Sequence, residues 1–457
     1  MNLLIFPNHL FSTLSRLPAD TVFHIIESEE YFTRFTFHKQ KLILHRASMQ
    51  AMRERLLTKG FEVEYLDIQQ YPNLESVVTH LKKRGVTDVE HFEITDHTTY
   101  EDFLQSFSKA GITTKERSSD LFLLTRENIS SLGQNFTHAK VYEAARKVHG
   151  LLVDAEGKPV GGRWSFATLD RDDTSKELPG VTEMEPNRYV DEAQEYIATY
   201  FSHNPGATNP FIWPVTHNDA KDWLADFQDD RLIHFAARYD LLSDSLVGAH
   251  SALSPFLNIG LLTPLDVCKS ILEFGERKNV PLVTIERYIR EVAGTREFLR
   301  AQYLRAAVLT KSTSKELPKV ITFLQELEIR LADFAYLPFT ERLIVAQYLL
   351  MTGQTMETVV SYFMEHMIDS VNWNTEIIVV QLVQSLNTSS DRVQFMSSSR
   401  ISEIGGTLSV SEAGLWDSLL LLYLKNKAQK NIRAQQLIVE LKRLGVTTQI
   451  AKKFLQK

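Results

Sequence analysis

A single cysteine, Cys268, in 457 residues excludes an internal disulfide and any four-thiolate iron–sulfur or zinc centre. It also fits a reducing, intracellular setting. No uninterrupted apolar run approaches the roughly 18 residues that span a bilayer, so the expectation is a soluble, cytoplasmic protein without a membrane partner. The opening "MNLLIFPNHLF" lacks a basic start and reads as a first strand, not a secretory leader. Positive charge is not in excess: 50 Lys and Arg stand against 57 Asp and Glu, a net charge of −7. A polyanion would have to be met by a local patch. The H-E-x-x-H, cysteine–histidine and G-x-G-x-x-G patterns are missing. "PVGGRW" marks a tight turn, and the paired carboxylates of "RDDTSKE" and "FQDDR" lack calcium-loop spacing. No metal site is expected. There is no internal repeat and no low-complexity tract.

What is present is ordinary for a globular chain, 44% hydrophobic and 23% charged, and long enough for two or three domains of about 100–200 residues. "NLLIF" and "TVFHIIE" are short apolar runs of the buried-strand kind. "FHKQKLILHRASMQAMRERLLTKG" spaces Leu42, Leu44, Met49, Met52 and Leu56 as a helix would, and Gly60 stands at its end. "FEVEYLD", "NLESVVTHLKKRG" and "DVEHFEI" continue the alternation, which builds a doubly wound parallel sheet. This α/β domain is placed at residues 1–125. Residues 126–185, rich in Gly, Pro and charge at "DAEGKPVGGRWSFATLDRDDTSKELPG", read as an interdomain linker with few regular elements. From 186 to 457 strand signals vanish. "RYVDEAQEYIATYF", "PLDVCKSILEFGE", "TIERYIREVAGTREFLRAQYLRAAVL", "ERLIVAQYLLMTG" and "METVVSYFMEHMI" all have helical periodicity, so this part reads as a large all-α domain. A monomer is expected.

The run "AHSALSPFLNIGLLTP" sets His250, Ser251 and Ser254 in apolar surroundings. Two readings stand. Ser254 caps a helix that begins near Pro255, with proline in the first turn, or the hydroxyls and backbone N–H groups of a helix start hold a phosphate.

Five strings, "FHKQKLILHRASMQAMRERLLTKGFEVEYLD", "GKPVGGRWSFATLDRD", "AHSALSPFLNIGLLTP", "VPLVTIERYIREVAGTREF" and "AYLPFTERLIVAQYLLMTG", come in the order found in the cryptochrome/photolyase family. The chain most resembles its deoxyribodipyrimidine photolyase-related branch, to which iron–sulfur bacterial cryptochromes and prokaryotic (6-4) photolyases belong. The resemblance implies an antenna-type α/β domain and a helical domain holding FAD non-covalently. It implies Tyr239, eleven residues before the turn, and His250, Ser251, Leu253, Ser254 and Asn258 as FAD contacts, with Arg342 against the flavin ring. Damaged DNA is the implied partner, with light-driven repair or blue-light signalling the implied activity.

The departures from the family pattern are specific. The four cluster cysteines are missing, so no iron–sulfur cluster is expected. A family His–His pair is replaced by Pro338 and Phe339, which cannot move a proton at a lesion. Ile378 falls about where an Asn faces the flavin, after Trp373, and the acidic partner of Arg342 is read as replaced by Asn372. In "GTREF", Thr295 stands where a Trp often lines the lesion pocket, while Arg296 and Glu297 persist. Trp373, Trp416, Tyr303 and Tyr336 are candidates for an aromatic electron relay, although such residues are usually core filler. Asn8, His9, Glu27, Glu29 and Glu30, after the first two strands, are candidate contacts for a pterin- or lumazine-like antenna. Segment 421–457 has nine Lys and Arg against Glu440 alone, leaving the remainder at −15 (41 basic, 56 acidic). It can meet a phosphate backbone or serve as a solvated helical face. The missing histidines, cysteines and asparagine also support a rival expectation: a degenerate relative acting as a non-photochemical nucleic-acid or protein-binding module.

Overall fold

The computed structural model describes residues 1–166, 178–181, 185, 187–243, 245–306, 309, 311–313, 321–386, 394–427 and 432–456. The carboxylates of "RDDTSKE" and Lys430 and Lys457 of the basic segment lie outside these residues.

Five parallel strands, β1 (Asn2–Ile5), β2 (Val22–Ile26), β3 (Glu62–Leu66), β4 (Asp88–Phe92) and β5 (Thr113–Arg117), form one sheet in the order β3-β2-β1-β4-β5. Leu3 pairs with Phe23 and with Glu90, so β1 is central. Side chains alternate with period two between two cores. Leu3, Ile5, Phe23 and Ile25 join the large core that runs on into the helical part. Leu4, Phe6 and Ile26 pack with Val77, Leu81, Phe103 and Phe107 from helices Leu74–Lys83 and His97–Ala110. Burial on both faces explains why β1 and β2 read as continuous apolar runs. β5, "TTKER", was not anticipated: it is a largely exposed edge strand with no apolar signal. Charged residues at such an edge discourage pairing with other chains.

Helix Lys39–Thr58 forms as its periodicity predicts, and Gly60 takes φ +86° just beyond it. Residues 126–185 hold more regular structure than expected. Helices Arg126–Ser131 and His138–His149 are capped by Thr125 and Thr137, whose hydroxyls accept from Asn128 N and Lys140 N. The Gly- and Pro-rich composition of the later part of the segment hid these earlier caps. Beyond β5 the described elements are helical, apart from an isolated bridge between Val153 and Pro159. "TIERYIREVAGTREFLRAQY" forms helices Leu282–Ile289 and Arg296–Tyr303, joined by a π-helical turn at Arg290–Thr295.

Helix Arg296–Tyr303 fastens the helical part to the α/β part. Arg300 reaches both carboxylate oxygens of Glu93 at 2.7 Å, and Glu297 accepts from the backbone N–H groups of Leu123 (2.9 Å) and Leu124 (3.1 Å). Arg300 is 1% exposed and Glu93 6%. Arg300→Ala would leave the buried Glu93 carboxylate with Arg126 alone, 3.2 Å away, and should destabilise the fold by about 3 kcal/mol in urea unfolding; a loss below about 1 kcal/mol would assign the pair no structural role.

Candidate functional site

Helix Leu232–Arg238 ends at Tyr239, and the chain returns through His250 and Ser251 to helix Ser254–Ile259. Ala252 takes φ +50°, a left-handed conformation that costs a non-glycine residue about 1–2 kcal/mol. The bend is held from outside by Trp223, whose indole N–H donates to Ser251 O at 2.8 Å. At the far end of the helix, Gly260 sits at φ +85° so close to Phe11 that a Cβ would lie 2.8 Å from its ring.

Ser254 does not cap this helix. Its hydroxyl donates to Asp369 Oδ2. The same oxygen accepts from Arg342 Nη2 at 2.7 Å, and Arg342 Nε donates to Leu337 O at 2.6 Å. The Asp369 side chain is fully buried and that of Arg342 is 15% exposed. Tyr336 lies 5.2 Å from the guanidinium. Asn258 donates to the backbone O of Asp369 at 2.7 Å and accepts from Arg296 at 2.6 Å. Ser254, Asn258 and Arg342, named separately from the sequence, thus meet on one residue that was not. The acidic partner of Arg342, read as lost to Asn372, is Asp369. Asn372 faces the other way, donating to Asp96 (2.5 Å) and Glu30 (3.2 Å). Asp369 lies in an irregular segment, "MIDSVNWN", where no periodicity marks it.

His250 borders the same corner. Its Nε2 is buried without a partner, and the Tyr239 backbone lies near the ring. Burial pushes its pKa down to about 4, and Arg342 adds to this, against the opposing pull of Glu291 and Asp240. The Tyr239 ring lies under the Arg287 guanidinium at 3.6 Å. Leu253 is core, 2% exposed. Glu341, beside Arg342, pairs with Arg330 at 3.0 Å, and burial raises its pKa to about 7.

The other named residues lie apart from this corner or serve the frame. Pro338 precedes helix Phe339–Met351 and Phe339 begins it, so neither supplies a titratable group. Ile378 packs against the core. Thr295 lies 3.3 Å from His138, and Arg296 and Glu297 join the two parts of the molecule. Tyr336 touches Arg342, whereas Trp373 lies against Phe122 and Arg296, Tyr303 donates to Asp96, and Trp416 stacks on Tyr348. The candidate antenna contacts separate as well. Asn8 and Glu30 line a cavity of about 30 Å³ with Lys41, Asp96, Asn258 and Trp373. Glu27 accepts from Arg46, Tyr65 and Ile68 N, and His9 is buried with its pKa near 3. Glu29 is exposed and lies near Asp102. The cavity has room for about one water, not for a fused ring. Among the described residues no group of three or more His, Cys, Asp and Glu is placed to hold a metal, and no helix is long and apolar enough to cross a membrane.

Burial of neutral His250 links stability to pH. Below its ordinary pKa of 6.5 the unfolded chain takes up a proton that the folded site refuses down to about 4. The stability contributed by the neutral ring is complete above pH 6.5 and is lost as pH falls toward 4, at about 1.4 kcal/mol per unit. The stability gap between the protein and His250→Asn should therefore narrow by about 2 kcal/mol between pH 7 and pH 5 in urea titrations. A gap that stays constant contradicts this account.

Comparison with known proteins places the chain. The family described as "Deoxyribodipyrimidine photo-lyase-related protein" matches residues 3–213. A (6-4) photolyase of Agrobacterium fabrum is 31% identical over 280 residues, covering 58% of this chain and 54% of the relative, so the chain spans about half the length of that protein. An uncharacterized protein, R852, of Acanthamoeba polyphaga mimivirus is 32% identical over 186 residues, covering 36% of this chain and 91% of the relative. The crystal structure of a class III photolyase from Agrobacterium tumefaciens has the same fold, with a TM-score of 0.58 at 16% identity over 97% of this chain and 92% of that one. A five-stranded parallel sheet feeding a helical half, the ordered motifs and these matches agree, and the chain belongs to the deoxyribodipyrimidine photolyase-related family.

Proposed function

We propose that the chain binds FAD non-covalently in its helical part and uses it in light-driven repair of DNA photolesions or in blue-light signalling. The observation that carries this reading is the buried Arg342–Asp369 pair, set against the Ser254 turn with Tyr239 and His250 at its border. Among the buried atoms here that lack a protein partner are Asp369 Oδ1, His250 Nε2 and Glu341 Oε2. Each such atom costs about 1–3 kcal/mol unless something bonds it. A ligand with ring N–H and hydroxyl groups fits that need.

A bound, reduced flavin supplies a photoexcited electron. The chain's own residues position it. Asp369 and Leu337 O fix the Arg342 guanidinium on two sides, so it can lie against a ring that gains negative charge without reorganising. Tyr336, Leu253 and Leu337 are buried around the pair, which encloses Asp369 and leaves Arg342 15% exposed. Positions 338 and 339 offer no proton, so any proton transfer to a lesion must use another group. A cavity of about 30 Å³ beside Asn8 and Glu30 gives no support to an antenna ring, and no step is assigned to one. Damaged DNA as partner, with the lesion flipped out of its stack, draws support from the exposed Lys442, Arg443, Lys452 and Lys453 on the final two helices.

The rival reading, a non-photochemical binding module, rests on Pro338, Phe339 and Ile378. Purification decides between them. The flavin reading expects a yellow protein that releases FAD on denaturation, and Arg342→Ala should lower FAD affinity at least tenfold, the loss of one charge-assisted bond of about 1.5–3 kcal/mol. A colourless protein that takes up no added FAD supports the rival.

A further inference from the structure

Helices Ile432–Arg443 and Gln449–Leu455 form a hairpin whose inner side rests on helix Val410–Lys427. Ala434, Ile438, Leu441 and Ala451 are buried there. The Ser418 hydroxyl accepts from Ala451 N at 3.0 Å and donates to Thr447 O at 2.6 Å. The outer side is of another kind. Val439, Leu444, Ile450 and Leu455 are 44–63% exposed, a third of the large apolar side chains exposed among the described residues, gathered in this one hairpin. Lys442, Arg443, Lys452 and Lys453 stand exposed among them. Arg400 pairs with Glu403 at 3.0 Å and Asp240 at 3.5 Å, and beyond it no described cation is paired with a carboxylate. Glu440 is the only acidic residue from 421 onward.

Unpaired cations alone suit any polyanion, a DNA duplex included. The apolar side chains set a second condition. A phosphate backbone gives them nothing to bury against, and proteins that hold unpaired bases stack aromatic rings on them, whereas the exposed apolar residues here are branched aliphatics. An anionic lipid surface meets both conditions. Lysine and arginine stems lie along apolar surface with their charges among the headgroups, while leucine and isoleucine enter the acyl boundary below. The sequence sets the two kinds side by side, with Leu444 following Lys442 and Arg443 in the turn, and Ile450 and Leu455 flanking Lys452 and Lys453 in the last helix. No described helix is long and apolar enough to cross a bilayer, so the contact is peripheral.

We propose that this hairpin docks the chain on an anionic lipid bilayer, with Leu444 and Ile450 in the acyl boundary and Lys442, Arg443, Lys452 and Lys453 at the headgroups. The proposal does not rest on the flavin reading, and the Arg342 corner lies on other helices. It assigns to a bilayer the cations that charge alone would offer to DNA.

The test is co-sedimentation of the whole chain with vesicles of phosphatidylcholine, alone or with about 30% phosphatidylserine. Binding should rise at least about tenfold with the anionic lipid and fall again as salt is raised from about 0.1 M to about 0.5 M. Leu444→Asn with Ile450→Asn, which keeps every charge and is checked for folding by circular dichroism, should weaken vesicle binding at least about fivefold. The same variant should leave binding of a short DNA duplex unchanged. If the unaltered chain binds neither vesicle, or binds both equally, the proposal is overturned whatever the variant does. It is overturned also if the variant binds vesicles as well as the unaltered chain. Equal weakening of duplex and vesicle binding would make nucleic acid the occupant of the hairpin instead.

Discussion

Arg342 and Asp369 are an ion pair withdrawn from water, and the helical half is arranged around it. Neither charge is tolerable there alone, because desolvation costs several kcal/mol per ion and is offset only by the partner and its hydrogen bonds. The pair therefore dictates positions. It draws the 367–371 segment against helix Phe339–Met351 and recruits Ser254 and Asn258 from the turn that follows Tyr239. Asn258 hands the constraint on to Arg296, whose guanidinium also reaches Leu257 O at 3.2 Å. From Arg296 it passes along one helix to Glu297 and Arg300, which grip the α/β half. The candidate site and the joint between the two halves are thus one connected polar network within an apolar core.

This connection changes the meaning of "GTREF". By resemblance, Thr295 stands at a lesion-pocket position and Arg296 and Glu297 persist beside it. In the fold both are buried, Arg296 8% exposed and Glu297 fully enclosed, and their partners are backbone groups and Asn258. Their persistence is explained by the joint alone. The losses at 338, 339 and 378 fall on residues outside the network, so they could change without disturbing it. A chain can keep its fold and this buried polar network while residues outside the network change.

Much of the fold was legible because burial leaves a periodic trace. β1 and β2 are enclosed on both faces and read as apolar runs, and helix Lys39–Thr58 showed its spacing and its terminal glycine. β5 escaped because an exposed edge strand buries too little to pattern its sequence. Helix His138–His149 escaped because its cap, Thr137, precedes a stretch whose Gly and Pro dominate composition. At the candidate site, Tyr239, His250, Ser254 and Arg342 were named from ordered motifs, not from periodicity. Asp369 was missed for a physical reason. It acts from an irregular segment, and its importance comes from contacts distant in sequence, 27 residues from Arg342 and 115 from Ser254. The chemical character of the turn was also hidden, since a serine shows its hydroxyl in sequence but not where that hydroxyl points.

The claim that Arg342 and Asp369 hold this half together is tested most directly by a double-mutant cycle in urea, with Arg342→Met, Asp369→Leu and the combination. The account predicts that each single change costs about 3–5 kcal/mol and that the double change costs far less than their sum, a coupling of at least about 2 kcal/mol. Additive losses, with coupling under about 0.5 kcal/mol, would show that the two charges stand near each other without depending on each other.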